Sequence, residues 1–268
     1  MRYTDRVNLE FELALRFLRR RSGLLLRGTA LAALAGVALA VTALVITLAL
    51  MTGYSRAIAA ALQRGNAHVV GFALGPLGTA EATEIAGRMA GVEGVLRATP
   101  VTYLTGLLDD PSEPASPLTV TLKAVARPPS YTGLASWPSA EALPAVVGER
   151  LAKQVGLRAG DRATVRLPPA DASWILPALP LEVVGTFRLA FAEFDERWIT
   201  VPLEELLRML PGTGVAGVEV ELADPLAVEA ARERLAAAEP RLVFTDWREM
   251  NRALFAALRW QTLSLFVV

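Results

Sequence analysis

Hydrophobic residues are concentrated in one long uncharged run near the N-terminus. No charged side chain occurs between Gly28 and Ser55. A helix over this run rises about 42 Å, which exceeds the roughly 30 Å hydrocarbon core of a bilayer. The pattern therefore predicts a transmembrane helix over residues 28–52. Helical spacing of apolar residues continues after it, which predicts a helical stalk over residues 53–65.

The region after the stalk alternates between strand and helix patterns. Residues 66–126 and residues 202–245 each have the pattern strand, helix, strand, and we expect the two parts to pair into one sheet with helices on a single face. The residues between them, 127–201, contain short strands and proline-rich loops, which predicts an inserted β-rich lobe. Residues 246–257 predict a second stalk helix, and residues 258–268 predict the start of a second transmembrane helix.

Charge predicts the orientation of the first helix. Residues 1–27 contain seven arginines and three carboxylates, a net charge of +4, whereas residues 56–257 contain 19 basic and 24 acidic residues, a net charge of −5. Basic flanks of a membrane helix stay on the cytoplasmic side. We therefore expect a cytoplasmic amphipathic segment followed by an extracytoplasmic α+β domain. A cleaved signal peptide is the alternative, but its apolar region is usually only about 7–15 residues long.

Composition excludes several classes of function. The chain has no cysteine, which rules out disulfides, thiolate metal sites and cysteine nucleophiles. No basic stripe with interleaved aromatic residues is present, so nothing indicates a nucleic-acid partner. Gly212, Gly214 and Gly217 match the pattern G-x-G-x-x-G, but they follow a predicted helix and open a predicted strand, which is the wrong context for dinucleotide binding.

The remaining candidates for catalysis are few. His68 is the only histidine and is interpreted as structural. Glu193, Asp195 and Glu196 offer carboxylates for acid–base chemistry, but a solvated loop is the better interpretation. The sequence therefore predicts no catalytic residue, no metal site and no enzyme.

One face of the predicted membrane helix carries small residues. Ala32, Gly36 and Ala40 are spaced four apart, and such a row allows another helix to approach closely. An alanine-rich helix also contains such rows by chance, so both interpretations stay open.

A proline-rich loop over residues 168–180 is the candidate contact loop. Stiff prolines around exposed apolar side chains suit a protruding binding loop. In the alternative interpretation, the tryptophan folds back onto its own lobe. The candidate contact residues are Pro169, Trp174, Ile175, Leu176 and Pro177.

Five stretches of the chain form an ordered series of motifs. They are FELALRFLRRR (11–21), MTGYSRAIAAALQRGNAHV (51–69), GERLAKQVGLRAGD (148–161), VVGTFRLAFAEFDERWITVPLEELLRML (183–210) and TDWREMNRALFAALRW (245–260). In their order and spacing they resemble the N-terminal part of the lipoprotein-releasing ABC transporter permease family, which is LolC/LolE-like and more broadly of the MacB/FtsX type. The resemblance implies a MacB-like periplasmic core of two lobes.

The resemblance also implies a function and partners. Family members sit in the bacterial inner membrane as two permease subunits with two ATPase subunits, which hold ATP and Mg. They extract lipoproteins from the membrane and pass them to a periplasmic carrier. The first spans line the lipid-binding cavity, which implies this role for Leu44, Leu48 and Met51. The carrier would meet the loop at 168–180. The family loop uses basic and polar residues in carrier contact, whereas this loop has no basic residue, which leaves a LolE-like or divergent role open.

Length separates this chain from the family. Family permeases have four spans, and this chain ends eleven residues after Ala257. We expect a fragment or a split gene product that does not transport alone. Two other classes stay open, an extracytoplasmic sensor domain of a two-span signalling receptor and a membrane-anchored hydrolase.

Overall fold

A computed structural model provides the structure of the protein. It describes residues 16, 24–65, 67–109, 116–168, 177–189, 192–225, 227–253, 256–257, 260–261 and 264. The chain divides into two compact units. One unit consists of residues 1–55 together with 259–268, and the other consists of residues 56–258.

Helices in the described residues range in length from four residues to 42 residues. A 3₁₀ turn lies at Ser130–Thr132. The α-helices are α1 (Leu24–Gly65), α2 (Thr79–Ala90), α3 (Glu149–Val155), α4 (Ala192–Arg197), α5 (Leu203–Met209), α6 (Val228–Ala238) and α7 (Trp247–Met250).

The first helix, α1, is continuous over 42 residues. Its segment Gly28–Tyr54 is long and apolar enough to cross a membrane, and none of this segment is buried within the protein. The segment overlaps the span that the sequence predicts at 28–52. The rest of the helix continues to Gly65, over the residues predicted as a stalk.

Strands in the described residues belong to one nine-stranded sheet. Six of them, β3, β7, β4, β6, β5 and β2, follow one another in the sheet, and pairing between β2 and β3 closes them into a small barrel. The strands are β1 (Val69–Leu77), β2 (Val95–Leu108), β3 (Leu118–Val125), β4 (Leu143–Gly148), β5 (Arg162–Arg166), β6 (Ala178–Phe187), β7 (Trp198–Pro202), β8 (Val215–Leu222) and β9 (Leu242–Asp246).

The long strand β2 connects the barrel to the rest of the sheet. Its first half pairs with β8 and its second half with β3, and Val101 pairs with both Gly217 and Val125. The sequence places β3 in the lobe at 66–126. In the structure, β3 also pairs in parallel with β7, a strand of the segment at 127–201, so β3 is a barrel strand.

The outer part of the sheet carries its helices on one side. Strands β8, β1 and β9 extend the sheet from β2. Helix α2 packs on β2 and β8, helix α6 packs on β9, and the two helices contact each other. The buried side chains of α2 include Ile85 and Met89, and those of α6 include Leu235. This arrangement matches the expected pairing of two strand–helix–strand units.

Apolar side chains fill the barrel. Alternate residues of β3, Val120, Leu122 and Ala124, belong to one buried cluster with Leu181 of β6 and Ile199 of β7. Full burial of one such aliphatic side chain stabilises the fold by about 1.5–3 kcal/mol. The period-two pattern of β3 therefore positions its apolar residues towards the core.

A buried carboxylate connects α2 to the end of α6. Glu239 accepts hydrogen bonds from Arg88 of α2 and, at 2.8 Å, from Arg241 Nε. Arg241 Nη1 also donates to Glu81 of α2 at 2.8 Å. Hydrogen bonds from Arg241 and Arg88 lower the pKa of Glu239 from its ordinary value of 4.5 to about 2.

The Glu239 carboxylate makes the folding stability depend on pH in the acidic range. Because its pKa is lower in the folded state, Glu239 stabilises the fold above about pH 4.5, and the contribution is lost as the pH falls to about 2. Replacing Glu239 with glutamine is expected to cost about 1–2 kcal/mol at neutral pH, after allowance for the solvent-exposed arginines, and to flatten the acid limb of the stability profile. Chemical unfolding at a series of pH values measures both effects. Glu233→Gln, on the exposed face of α6, is the control, and an equal change in both variants would contradict the prediction.

Candidate functional site

One side of α1 is less exposed than the others. Leu44 is 39% exposed, and Leu48 and Met51 are half-buried, whereas Leu39 and Leu50 are 75% and 73% exposed. With about 100° of rotation per residue, Leu44, Leu48 and Met51 lie within about 60° of one another around the helix. The residues predicted to line a lipid cavity therefore share the less exposed side.

The small residues of α1 extend the same row. Ala32, Gly36 and Ala40 precede Leu44 and Leu48 at intervals of four residues, so the two predicted sets form one continuous ridge. A Cβ atom added to Gly36 would meet no heavy atom within 4 Å. In the described part of the chain, this end of the ridge is open to a neighbouring helix.

Hydroxyl groups on α1 are satisfied by the helix itself. Thr42, Thr47 and Thr52 donate to the carbonyl oxygens four residues earlier, at 2.7–2.8 Å. Unsatisfied polar groups are costly in lipid. These threonines therefore leave the helix with an apolar surface, as its position in a membrane requires.

The candidate contact loop joins two paired strands of the barrel. Strands β5 and β6 are antiparallel, with Arg166 opposite Ala178, and the N–H of Leu167 donates to the carbonyl oxygen of Pro177 at 2.9 Å. Pro177 therefore lies at the base of the loop. Pro169, Trp174, Ile175 and Leu176 lie outside the described residues, and their role in contact stays a prediction.

A buried polar cluster lies between β3 and β8. Lys123 is 1% exposed, and its Nζ is 2.7 Å from Oε1 of Glu219. The hydroxyl of Tyr103 donates to the same carboxylate oxygen, and the ring of Trp198 lies 5.3 Å from Lys123 Nζ. Burial acts to lower the pKa of Lys123, but the charges of Glu219, Tyr131 and Glu221 and the hydrogen bond to Glu219 together outweigh it, and the pKa is raised. The lysine is therefore a charged structural group.

The structure buries one of the three acidic candidates and leaves the other two exposed. Residues 192–197 form helix α4 and not the expected solvated loop. Asp195 is buried, and its Oδ1 accepts a hydrogen bond from the N–H of Leu189 at 2.6 Å, whereas Glu193 and Glu196 are exposed. Phe194 is buried beside Asp195, which explains why the segment folds against the domain. Burial raises the pKa of Asp195.

His68 and the glycine motif have structural roles. The Nδ1 atom of His68 accepts a hydrogen bond from the N–H of Leu222 at 2.8 Å. Gly212, Gly214 and Gly217 follow α5 and lead into β8, which agrees with the rejection of dinucleotide binding. Among the described residues, no group of three or more His, Asp or Glu side chains could hold a metal ion.

Comparison with known families identifies the domain. The family model of the MacB-like periplasmic core domain matches residues 29–238, which is more than half of the chain. The chain belongs to this MacB-like family. The match begins in the membrane helix and continues to the end of α6, so the predicted α+β fold of the MacB-like periplasmic core is confirmed.

Relatives of this MacB-like chain include permeases named for lipoprotein release. The chain is 25% identical over 276 aligned positions to the lipoprotein-releasing system transmembrane protein LolC of Xylella fastidiosa strain 9a5c, and equally to that of strain Temecula1. The alignments cover 94% of this chain and 64% of each relative. The resemblance seen in the sequence motifs is thereby confirmed.

The chain is also similar in part to two solved structures of transporter domains. The periplasmic region of MacB from Actinobacillus actinomycetemcomitans covers 71% of this chain and 94% of its own, at 13% identity and a TM-score of 0.43. The extracellular domain of the ABC-type transporter YknZ from Gram-positive bacteria covers 63% of this chain and 91% of its own, at 12% identity and a TM-score of 0.39.

The buried ion pair of this MacB-like domain was not predicted from the sequence. Lys123 interrupts an otherwise apolar and threonine-containing strand, LTVTLKAV, and it is one of only two lysines in the chain. A lysine in such a strand indicates that a buried carboxylate pairs with it. The alternation of β3 does not identify the residue that supplies this carboxylate.

Proposed function

We propose that the chain is a permease subunit of an ABC transporter in the bacterial inner membrane, and that it takes part in extracting lipoproteins from the membrane. In this proposal the N-terminus is cytoplasmic and the domain of residues 56–258 is periplasmic. ATP and Mg are bound by a separate ATPase subunit, and a second permease subunit completes the membrane part.

The main support for the proposal is that one chain contains both an uncharged membrane helix and a MacB-like domain. The family match extends over both, and the LolC relatives align with 94% of the chain. Among the described residues, Lys123 and Tyr103 both pair with the buried carboxylate of Glu219. These features favour a binding and transport role over hydrolysis.

In this role, α1 forms part of a lipid-binding wall. Leu44, Leu48 and Met51 would contact the acyl chains of the lipoprotein, as the resemblance to lipoprotein-releasing permeases implies, and the three residues share one side of α1. The small residues Ala32 and Gly36, on the same ridge, would admit a helix of the second permease subunit. The loop at 168–180 would contact a periplasmic lipoprotein carrier.

Photocrosslinking at matched positions tests the lipid-binding side. A diazirine amino acid at Leu48 is expected to label a triacylated lipoprotein at least about fivefold more than the same group at Leu50, because the two positions are about 160° apart around the helix at similar depth. Mass spectrometry of adducts formed in native inner membranes measures the ratio. Equal labelling at both positions would mean that this side of α1 does not face the lipoprotein.

A further inference from the structure

A polar cleft lies on one face of the sheet beside β8. Glu219 and Glu221 of β8 alternate with buried residues of that strand and lie opposite Thr99 and Arg97 of β2, so the four side chains share one face. Together with Ser130 of the 3₁₀ turn, these residues line a cleft of about 40 Å³. All of them belong to the unit of residues 56–258, so the cleft is formed within the domain.

Lys123 contributes a buried ammonium group to the lining of this cleft. It is 1% exposed, and an ammonium group has three N–H donors. Oε1 of Glu219 accepts one of them at 2.7 Å, and the hydroxyl oxygen of Tyr131 is a second acceptor. The residues that the structure describes supply no third acceptor, and a buried donor without an acceptor is costly. Because Lys123 lines the cleft, an oxygen atom in the cleft can complete its hydrogen bonds.

The charges around the cleft leave one cation in excess. Glu219 pairs with Lys123, and Glu221 pairs with Arg97. Arg127, which follows the end of β3 by two residues, also lines the cleft and is exposed. Its guanidinium forms no ion pair or hydrogen bond within the part of the chain that the structure describes. The lining therefore has a net charge of +1, which favours an anion with a single negative charge.

The size of the cleft restricts this anion. A volume of about 40 Å³ has room for about three water-sized groups. A carboxylate group, which consists of a carbon atom and a pair of oxygen atoms, fits this room, whereas a tetrahedral phosphate group is larger. The planar guanidinium of an arginine also matches the two oxygens of a carboxylate.

We propose that this cleft of the periplasmic domain binds a carboxylate group. The guanidinium of Arg127 pairs with the carboxylate, and the remaining N–H of Lys123 donates to one of its oxygens. The ligand is either a free carboxylic acid or the C-terminus of a polypeptide, because both present the same group. This site is independent of the lipid-facing side of α1 and of the transport role.

The lysine content of the chain allows a direct test of binding. Lys123 and Lys153 are the only two lysines, so selective ¹³C labelling of lysine in the whole chain in nanodiscs gives one signal from the cleft and one internal control. Titration with sodium acetate at constant ionic strength is expected to shift the Lys123 signal with a Kd of about 1–10 mM and to leave the Lys153 signal unchanged. A Lys123 signal that does not respond up to about 100 mM acetate would mean that only water occupies the cleft, and it would overturn the proposal.

Two arginine variants test the assignment of the guanidinium. Arg127→Gln is expected to weaken acetate binding at least about fivefold without a change in unfolding temperature, because Arg127 is exposed and makes no contact that folding needs. Arg158, between α3 and β5, is also exposed and lies outside the cleft. Arg158→Gln therefore removes the same charge and is expected to leave the affinity unchanged. Equal acetate affinities in the two variants would contradict the site.

Three carboxylate and phosphate probes distinguish the sources of the ligand. N-acetylglycine presents the carboxylate of a polypeptide C-terminus, so binding at least about threefold tighter than that of acetate would identify a polypeptide as the ligand, and similar binding would identify a free carboxylic acid. Dimethyl phosphate has the same charge as acetate but is larger, and it is expected to bind at least about threefold more weakly than acetate. Dimethyl phosphate that binds as tightly as acetate, or more tightly, would reject a carboxylate as the preferred ligand.

Discussion

Replacement of Gly148 by alanine is expected to destabilise the domain by about 3 kcal/mol or more. Gly148 ends β4 and precedes α3. A Cβ atom at this position would lie 2.7 Å from the carbonyl carbon of Asp195 and 2.9 Å from its Cα, and still closer to its carbonyl oxygen. These neighbours are backbone atoms of α4, so they cannot move aside by a change of rotamer. The effect is steric, because Gly148 has φ −55° and ψ 136°, which any residue can adopt.

Gly185 provides the matched control for this substitution. It lies on β6 opposite Val146 of β4, and the heavy atom nearest to a Cβ atom there would be a side-chain methyl of Val146, at 3.9 Å. Gly185→Ala is therefore expected to change the free energy of unfolding by less than about 1 kcal/mol. Chemical unfolding of the detergent-solubilised protein measures both variants. Similar stabilities for the two would show that α4 does not pack against Gly148 as described.

Replacement of Lys123 by methionine is expected to cost about 3–5 kcal/mol. The change leaves the carboxylate of Glu219 without its cation in a site where its side chain is only 11% exposed, and breaking a buried ion pair is costly for that reason. Adding Glu219→Gln to Lys123→Met is expected to recover at least about 1 kcal/mol, because the amide oxygen still accepts from Tyr103 without an uncompensated charge.

Lys153 is the control, since it is the other lysine of the chain. It also forms an ion pair at 2.7 Å, with Glu149, but its side chain is 70% exposed. Lys153→Met is expected to change stability by less than about 1 kcal/mol. A double-mutant cycle in urea measures the coupling of Lys123 with Glu219. A coupling near zero, or equal costs for the two lysines, would contradict the buried arrangement.

The parts of the fold that depend on local pattern follow from the sequence. The uncharged run after Gly28 predicts the membrane helix because charge is excluded from lipid. The apolar residues of 215–222 predict β8, in which the buried residues Val218, Val220 and Leu222 recur with period two. The burial of Asp195 is a different case. It depends on Phe194 packing against Trp198, with ring centroids 4.2 Å apart, and on a hydrogen bond to Leu189, which sequence spacing does not define.

The closure of the barrel depends on contacts between distant residues. Strand β3 pairs in parallel with β7, so that Lys123 lies opposite Thr200, and β2 divides between two partners at Val101. Many pairings satisfy the same period-two pattern, because period two determines only which face a residue occupies. The same limit applies to the candidate site. The ridge on α1 is visible in the spacing, whereas the ion pair of Lys123 with Glu219 depends on the register of β2 with β3 and with β8.

In the proposed function, the first membrane helix contacts the lipid part of a lipoprotein. The most direct measurement is the acyl-chain dependence of photocrosslinking at Leu48, with one lipoprotein prepared with and without its lipid modification. We expect an adduct with the triacylated form and at least about fivefold less with the unacylated polypeptide. Equal labelling of the two forms at Leu48, or no adduct with either, would contradict it.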